Sequence, residues 1–204
     1  WCVSRQRVWG VPLPIFINKK TSEILVDDEV FDNIAKIYEK EGSDCWFSDD
    51  PQKFLGKKYK AEDFEKLSDI VEVWFDSGST HSFVLEKRKD LKWPASMYLE
   101  GSDQHRGWFH SSLLESCGTR DRAPFESILS HGFVVDGKGL KMSKSLGNVI
   151  APEDILKKYG ADILRIWVAS SNYAEDLRID YSILDQHAES YRKIRNTFRY
   201  LLGN

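Results

Sequence analysis

Apolar residues recur along the chain at two spacings, and each spacing predicts a different kind of element. Val30, Ile34, Ile37 and Tyr38 return every three or four positions until Gly42 interrupts them, the pattern of an amphipathic helix stopped by glycine. Asp49-Asp50-Pro51 places an acidic cap and a first-turn proline at a second helix start. Ala151-Pro152-Glu153-Asp154 opens a third helix, closed by Tyr159-Gly160. Ala161-Asp162 opens a fourth, with Ile163, Ile166 and Trp167 on one face. Near the end of the chain Leu184, Ala188, Tyr191, Ile194, Phe198 and Leu201 alternate steps of four and three, which predicts one long amphipathic helix.

Continuous apolar runs predict strands at 70–75, 96–101 and 128–135, with a further short one at 23–26. A helical stretch over 108–117, running into Gly118, separates the second long run from the third. Strand, helix and strand at these lengths imply a βαβ unit on a parallel sheet, so the fold class is α/β. Pro12 and Pro14 exclude a helix interior over 1–17 and leave a short strand or loop followed by an extended arm. Residues 18–68 read as a small α+β insertion with no evident chemistry. The chain therefore divides into 1–17 with 69–180, the insertion 18–68, and the helix 181–204.

Composition narrows the class without naming it. Hydrophobic content of 41% and charged content of 30% over 204 residues describe a globular chain with room for a good core. A net charge of -3 gives no global attraction to nucleic acid, so any RNA contact must be local. Three widely spaced cysteines, Cys2, Cys45 and Cys117, form no C-x-x-C pair and imply a reducing, cytoplasmic setting. No long apolar run or signal pattern points to a membrane. The opening at Trp1 and the close at Asn204, straight after a helical pattern, suggest a piece of a larger polypeptide.

Three stretches hold candidate chemistry. After the apolar run ending at Val135, Asp136-Gly137 marks a turn, and Lys141-Met142-Ser143-Lys144-Ser145 sets two ammonium groups among hydroxyls and a nearby glycine. Such groups suit phosphate oxygens, although lysine-rich loops are more often merely solvated. Glu100-Gly101-Ser102-Asp103-Gln104-His105 follows a predicted strand, the place where parallel sheets bind ligands. There Asp103 and Gln104 suit ribose hydroxyls, while Asp103 suits a helix N-cap equally well. Trp74 and Trp108 sit at element junctions where a cleft would open, though indoles are commonly core. No H-E-x-x-H, G-x-S-x-G or Walker-type string is present, so zinc hydrolase, nucleophile-elbow and P-loop chemistry are not indicated.

The string at 141–145 is the KMSKS signature, and this stretch resembles class I aminoacyl-tRNA synthetases, in particular their isoleucyl branch. The string from Glu100 to Phe109 is similar to the same branch. Ser4-Arg5-Gln6-Arg7, followed by Trp9-Gly10 and Pro12, resembles the return from an inserted editing domain. The resemblance implies the second half of a Rossmann-type parallel-sheet nucleotide-binding domain, with 18–68 as the connective-peptide insertion and 181–204 leading toward an anticodon-binding part. It implies that Lys144 and Lys141 hold the β/γ-phosphates of ATP, with magnesium carried in by the nucleotide and no metal site in this chain. Glu100 would meet the aminoacyl part of an adenylate, Gly101 would let the backbone approach it closely, Asp103 and Gln104 would take its ribose, and His131, Val134, Met142, Ser143 and Ser145 the nucleotide. For His131, packing is an equal account. Trp74 and Trp108 would wall a pocket for isoleucine.

The expected activity is that of an isoleucine–tRNA ligase, forming isoleucyl-adenylate and passing the acyl group to tRNA(Ile), with other domains of the same polypeptide as partners. The family's His-x-Gly-His signature is missing from these residues, so the 204 residues alone are expected to be inactive. A valyl or leucyl core and a non-catalytic synthetase-like binding module are the alternatives. Arg192, Lys193, Arg195 and Arg199 would approach RNA or form an ordinary solvated face.

Overall fold

Pro12 and Pro14 hold the N-terminal arm extended, and the arm contributes two short strands, β1 (Ser4–Arg5) and β2 (Phe16–Asn18). The computed structural model describes residues 1–203. The chain divides into two units, Trp1–Ser96 with His105–Glu126 and Met97–Gln104 with Ser127–Asn204. Each has a hydrophobic cluster of its own.

In the first unit α1 (Asp28–Glu41) begins where Asp27 accepts the Glu29 N–H at 3.0 Å and stops at Gly42, whose φ of 83° few other residues adopt. After α2 (Cys45–Ser48), α3 (Pro51–Leu55) starts behind Asp50, which accepts the Gln52 N–H at 2.7 Å. β3 (Phe64–Lys66) returns antiparallel to β2, with Ile17 opposite Glu65. The strand expected at 23–26 is reduced to a bridge between Ile17 and Ile24. Trp46 lies under this layer with the Phe16 and Phe54 rings each 5.0 Å away, and all three are fully buried. Each such burial contributes on the order of 1.5–3 kcal/mol.

The expected strand at 70–75 is corrected. Only β4 (Ile70–Val71) is extended, antiparallel to β1, and the chain turns at Glu72 into α4 (Val73–Gly78). Polar side chains drive the change. Glu72 Oε2 accepts the Trp74 N–H at 2.8 Å, and the hydroxyls of Ser77, Ser79 and Thr80 donate to the carbonyls of Trp74, Asp76 and Ser77. Those bonds close a helical turn against the β propensity of Val73, Trp74 and Phe75. Further on, α5 (Trp108–Arg120) runs through Gly118, where glycine was expected to stop it, and ends at Asp121 with φ 56°.

In the second unit β5 (Tyr98–Gly101) and β6 (Ile128–His131) pair in parallel, so the predicted strand–helix–strand order is present. The single strand expected over 128–135 is corrected to two. Gly132 donates its N–H to Tyr173 at 2.9 Å and Phe133 donates to Asp176 Oδ1 at 2.8 Å, which takes both out of the ladder. A Cβ at Gly132 would run into the Glu175 backbone. Past this break β7 (Val134–Asp136) pairs in parallel with β8 (Leu177–Ile179). The parallel strands thus form two pairs. Helices α6 (Pro152–Tyr159), α7 (Ala161–Ser170) and α8 (Tyr181–Gly203) cover the second core of Ile155, Ile163, Trp167, Ile179 and Leu184. Only the first half of α8 packs there. Ile194, Phe198 and Leu201 remain 49%, 61% and 63% exposed. Among the described residues no helix is long and apolar enough to cross a membrane.

Candidate functional site

In the second unit β5 and β6 end side by side, with Glu100 opposite Ser130 and Gly101 opposite His131. These are carboxyl ends of parallel strands, where free backbone groups and loops meet a ligand. A tight turn, Ser102–Arg106, follows β5 and carries Asp103 and Gln104, whose Nε2 donates to Asp103 Oδ2 at 3.1 Å. Asp103 folds over Gly101: a Cβ there would lie 2.7 Å from Asp103 Oδ1 and 3.6 Å from His131 Cε1. Gly101, Asp103 and His131 are therefore brought together, and a side chain at the first would push the Asp103 carboxylate aside. The reading of Asp103 as a cap of the following helix does not hold, since α5 starts behind Gly107 without a side-chain cap. Glu100 is exposed at the strand end. His131 Nδ1–H donates to the Gly132 carbonyl at 2.8 Å.

The lysine loop grows from the end of β7. Lys141 bridges back to Val135, and the Met142 side chain packs against the second core. Ser143 then caps a single turn, Lys144–Leu146, by accepting the Leu146 N–H, and Gly147 closes it at φ 64°. Ser143 and Ser145 hydroxyls lie 3.1 Å apart. Lys141 and Lys144 are both exposed, and neither has a carboxylate partner among the described residues. Among the described residues no hydrogen bond or ion pair ties them to Glu100 or Asp103. Val134 lies in β7, paired with Leu177.

The loop owes its shape to two residues that the motif string does not include. Asp136 accepts the N–H groups of Lys138 and Leu140 and the Asn148 amide, and these bonds hold its carboxyl below the usual carboxylate range, the Asn148 bond foremost. Asn148 in turn accepts the Ser143 N–H at 2.9 Å.

In the first unit the two tryptophans are tied to one helix. Trp74 is the second residue of α4 and 39% exposed. Trp108 opens α5 and donates its Nε1–H to the Ser77 carbonyl of α4 at 2.9 Å. The helices approach at Gly78, where a Cβ would lie 2.8 Å from Ser111 Oγ and would collide with Glu115. Glu115 has no hydrogen-bond partner for either carboxyl oxygen, and burial, helped by Asp76, pushes its pKa up to about 7. Burial and then Glu72 raise Asp76 as well. Arg5 turns back onto the carbonyls of Cys2 and Ser4 at 2.6 and 2.8 Å.

Residues 1–180 match the family of tRNA synthetases class I (I, L, M and V). The chain belongs to that family. It is 89% identical over its whole length to an isoleucine–tRNA ligase of Pelagibacter ubique, and 58% identical over 209 aligned residues to one of Caldicellulosiruptor saccharolyticus. The chain spans 22% and 23% of those relatives' lengths. Its fold is like that of the Agrobacterium radiobacter K84 agnB2 LeuRS, solved as a ternary complex with tRNA and LeuAMS. There the TM-score is 0.69 at 22% identity, covering 98% of this chain and 28% of that one.

Within this synthetase fold, Asp136, Asn148, Glu72 and Glu115 escaped the sequence reading. Asp136-Gly137 was legible as a turn, but a turn residue gives no sign that its carboxylate will be shared with Asn148, twelve positions on. Glu115 reads as an ordinary surface residue of an amphipathic helix until Gly78 of α4 is placed against it.

Proposed function

We propose that the chain is the second, Rossmann-type half of the catalytic domain of an isoleucine–tRNA ligase. In that enzyme it would take part in forming isoleucyl-adenylate from isoleucine and ATP and in transferring the acyl group to tRNA(Ile). The observation that carries this is the 89% identity over the whole chain to an enzyme of that name, joined to a pair of uncommitted lysines on a loop of defined shape. Residues 1–17 and 69–180 form the catalytic half, 18–68 the connective insertion, and 181–204 the start of the part that leads to the anticodon-binding domains. The apolar stripe of Ile194, Phe198 and Leu201, uncovered here, supports such a continuation. The setting is the cytoplasm.

The chemistry fits the residues. An amino acid carboxylate is already an anion at neutral pH and attacks the α-phosphorus without a general base. What the reaction needs is alignment of two repelling anions and stabilisation of charge on the departing pyrophosphate. Lys144 and Lys141 supply that positive charge, with Ser143 and Ser145 beside them. Magnesium enters with ATP as part of the substrate. Glu100 meets the aminoacyl group at the strand end where Gly101 lets the backbone come close, Asp103 and Gln104 hold the ribose hydroxyls, and His131, Val134 and Met142 border the adenine, the last two through backbone groups. Trp74 and Trp108 wall the isoleucine side chain. Flat apolar walls separate isoleucine from valine by only about 1–3 kcal/mol, so an editing step elsewhere in the enzyme is required.

Pyrophosphate exchange by the full-length enzyme tests the reading. Isoleucine supports exchange better than valine or leucine, and Lys144→Ala lowers kcat by on the order of 10²–10³. Equal exchange with leucine, or an unaffected Lys144→Ala variant, defeats it.

A further inference from the structure

The segment from Asp136 to Asn148 is closed into a ring by two side chains. Asp136 Oδ1 accepts the N–H groups of Lys138 and Leu140 at 2.9 and 2.8 Å, and its Oδ2 accepts the Asn148 Nδ2–H at 2.8 Å. The other end of the same amide, Oδ1, accepts the Ser143 N–H at 2.9 Å, and Nδ2 also reaches the Lys141 carbonyl at 3.3 Å. Asn148 therefore holds the backbone on both sides of Met142. It fixes the carbonyl of one lysine and the residue just before the other.

We propose that Asp136 and Asn148 are positioning residues for ATP activation: their paired side chains set Lys141 and Lys144 in a fixed relation, so that the ring meets the polyphosphate as one body. This rests on the reading of the chain as the ATP-activating half of a ligase. The physical reason is entropic. On an open loop the backbone that carries the two lysines would have to be ordered at every turnover, in addition to the lysine side chains themselves. A ring already ordered by five hydrogen bonds from two side chains leaves only the lysine rotamers to settle. Asp136 and Asn148 touch no reacting atom in this scheme and act through the loop alone.

The test uses the full-length enzyme and three readouts. Backbone hydrogen exchange at Ser143 and Leu140 is compared between wild type and Asn148→Ala, together with steady-state pyrophosphate exchange. In the variant Ser143 exchanges at least about tenfold faster, kcat falls about tenfold or more, and the KM for isoleucine stays within about twofold. The melting temperature holds. Asn148→Asp sets two carboxylates face to face and is more damaging. The double swap Asp136→Asn with Asn148→Asp again leaves one amide against one carboxylate, with an acceptor for every loop N–H though no donor for the Lys141 carbonyl, and restores Ser143 protection and most of kcat. An unchanged Ser143 exchange rate overturns the proposal whatever the activity. So does an unchanged kcat, or a fall in which the isoleucine KM and the melting temperature move together with kcat. A wild-type enzyme without isoleucine-dependent exchange sinks the functional reading instead, and the hydrogen-exchange comparison still decides the ring.

Discussion

Glu115 shows at the scale of one residue how burial writes a pH dependence that composition conceals. Its carboxyl lies between α4 and α5 with no donor for either oxygen, and its pKa stands at about 7 against an ordinary 4.5. Between those values the folded chain holds a proton that the unfolded chain has released, so stability falls as pH rises through the window and is level on either side. Asp76, also raised, adds to the same slope. Glu115→Gln removes most of it. Thermal melts are expected to show the variant gaining about 1–2 kcal/mol over wild type at pH 8 and little at pH 5. A gain that is the same at both pH values contradicts this account. Residue identities in the lysine motif were legible because their chemistry is local. Glu115 was not, because its environment comes from a glycine 37 positions earlier, at Gly78.

At the scale of elements, two corrections share one cause. Residues 70–75 and 128–135 both look like unbroken strands because their side chains are β-branched, aromatic and apolar. In each, acceptors overrule propensity: in the first a local one, Glu72 capping α4, and in the second distant ones, Tyr173 and Asp176 drawing the N–H groups of Gly132 and Phe133 out of the ladder. The cap has a measurable consequence. Glu72→Ala is expected to cost about 1 kcal/mol of stability and to raise the KM for isoleucine, because Trp74 loses its anchor at the first turn. Glu72→Gln keeps an acceptor and most of the effect is absent. Equal behaviour of the two variants in melts and kinetics would show that the cap is not what holds Trp74. By contrast, α1 stops at Gly42, α3 and α7 start at Pro51 and Ala161, and α6 runs from Pro152 to Tyr159, where glycine, acidic residues and proline put them.

For the whole molecule, the division of labour between chain and fold follows the range of the forces involved. The chain spans 22% of a homologous ligase and lacks the His-x-Gly-His string. The 204 residues alone are therefore expected to give pyrophosphate exchange at background, and robust isoleucine-dependent exchange would show that the lysine ring and strand ends suffice. Sequence by itself determined the α/β class, the strand–helix–strand order, the starts of several helices and the motif that leads to the family. Those are set by period, caps and residue chemistry acting over a few positions. Helix α4 is closed by bonds local to Glu72, Ser77, Ser79 and Thr80, whose weight against β propensity the apolar pattern conceals. Tertiary structure alone decided that the long run at 128–135 serves two strand pairs and that Asp136 and Asn148 close the lysine loop. Both of these depend on a hydrogen bond or a close approach between residues distant in sequence, and such a partner is fixed only when the chain has folded.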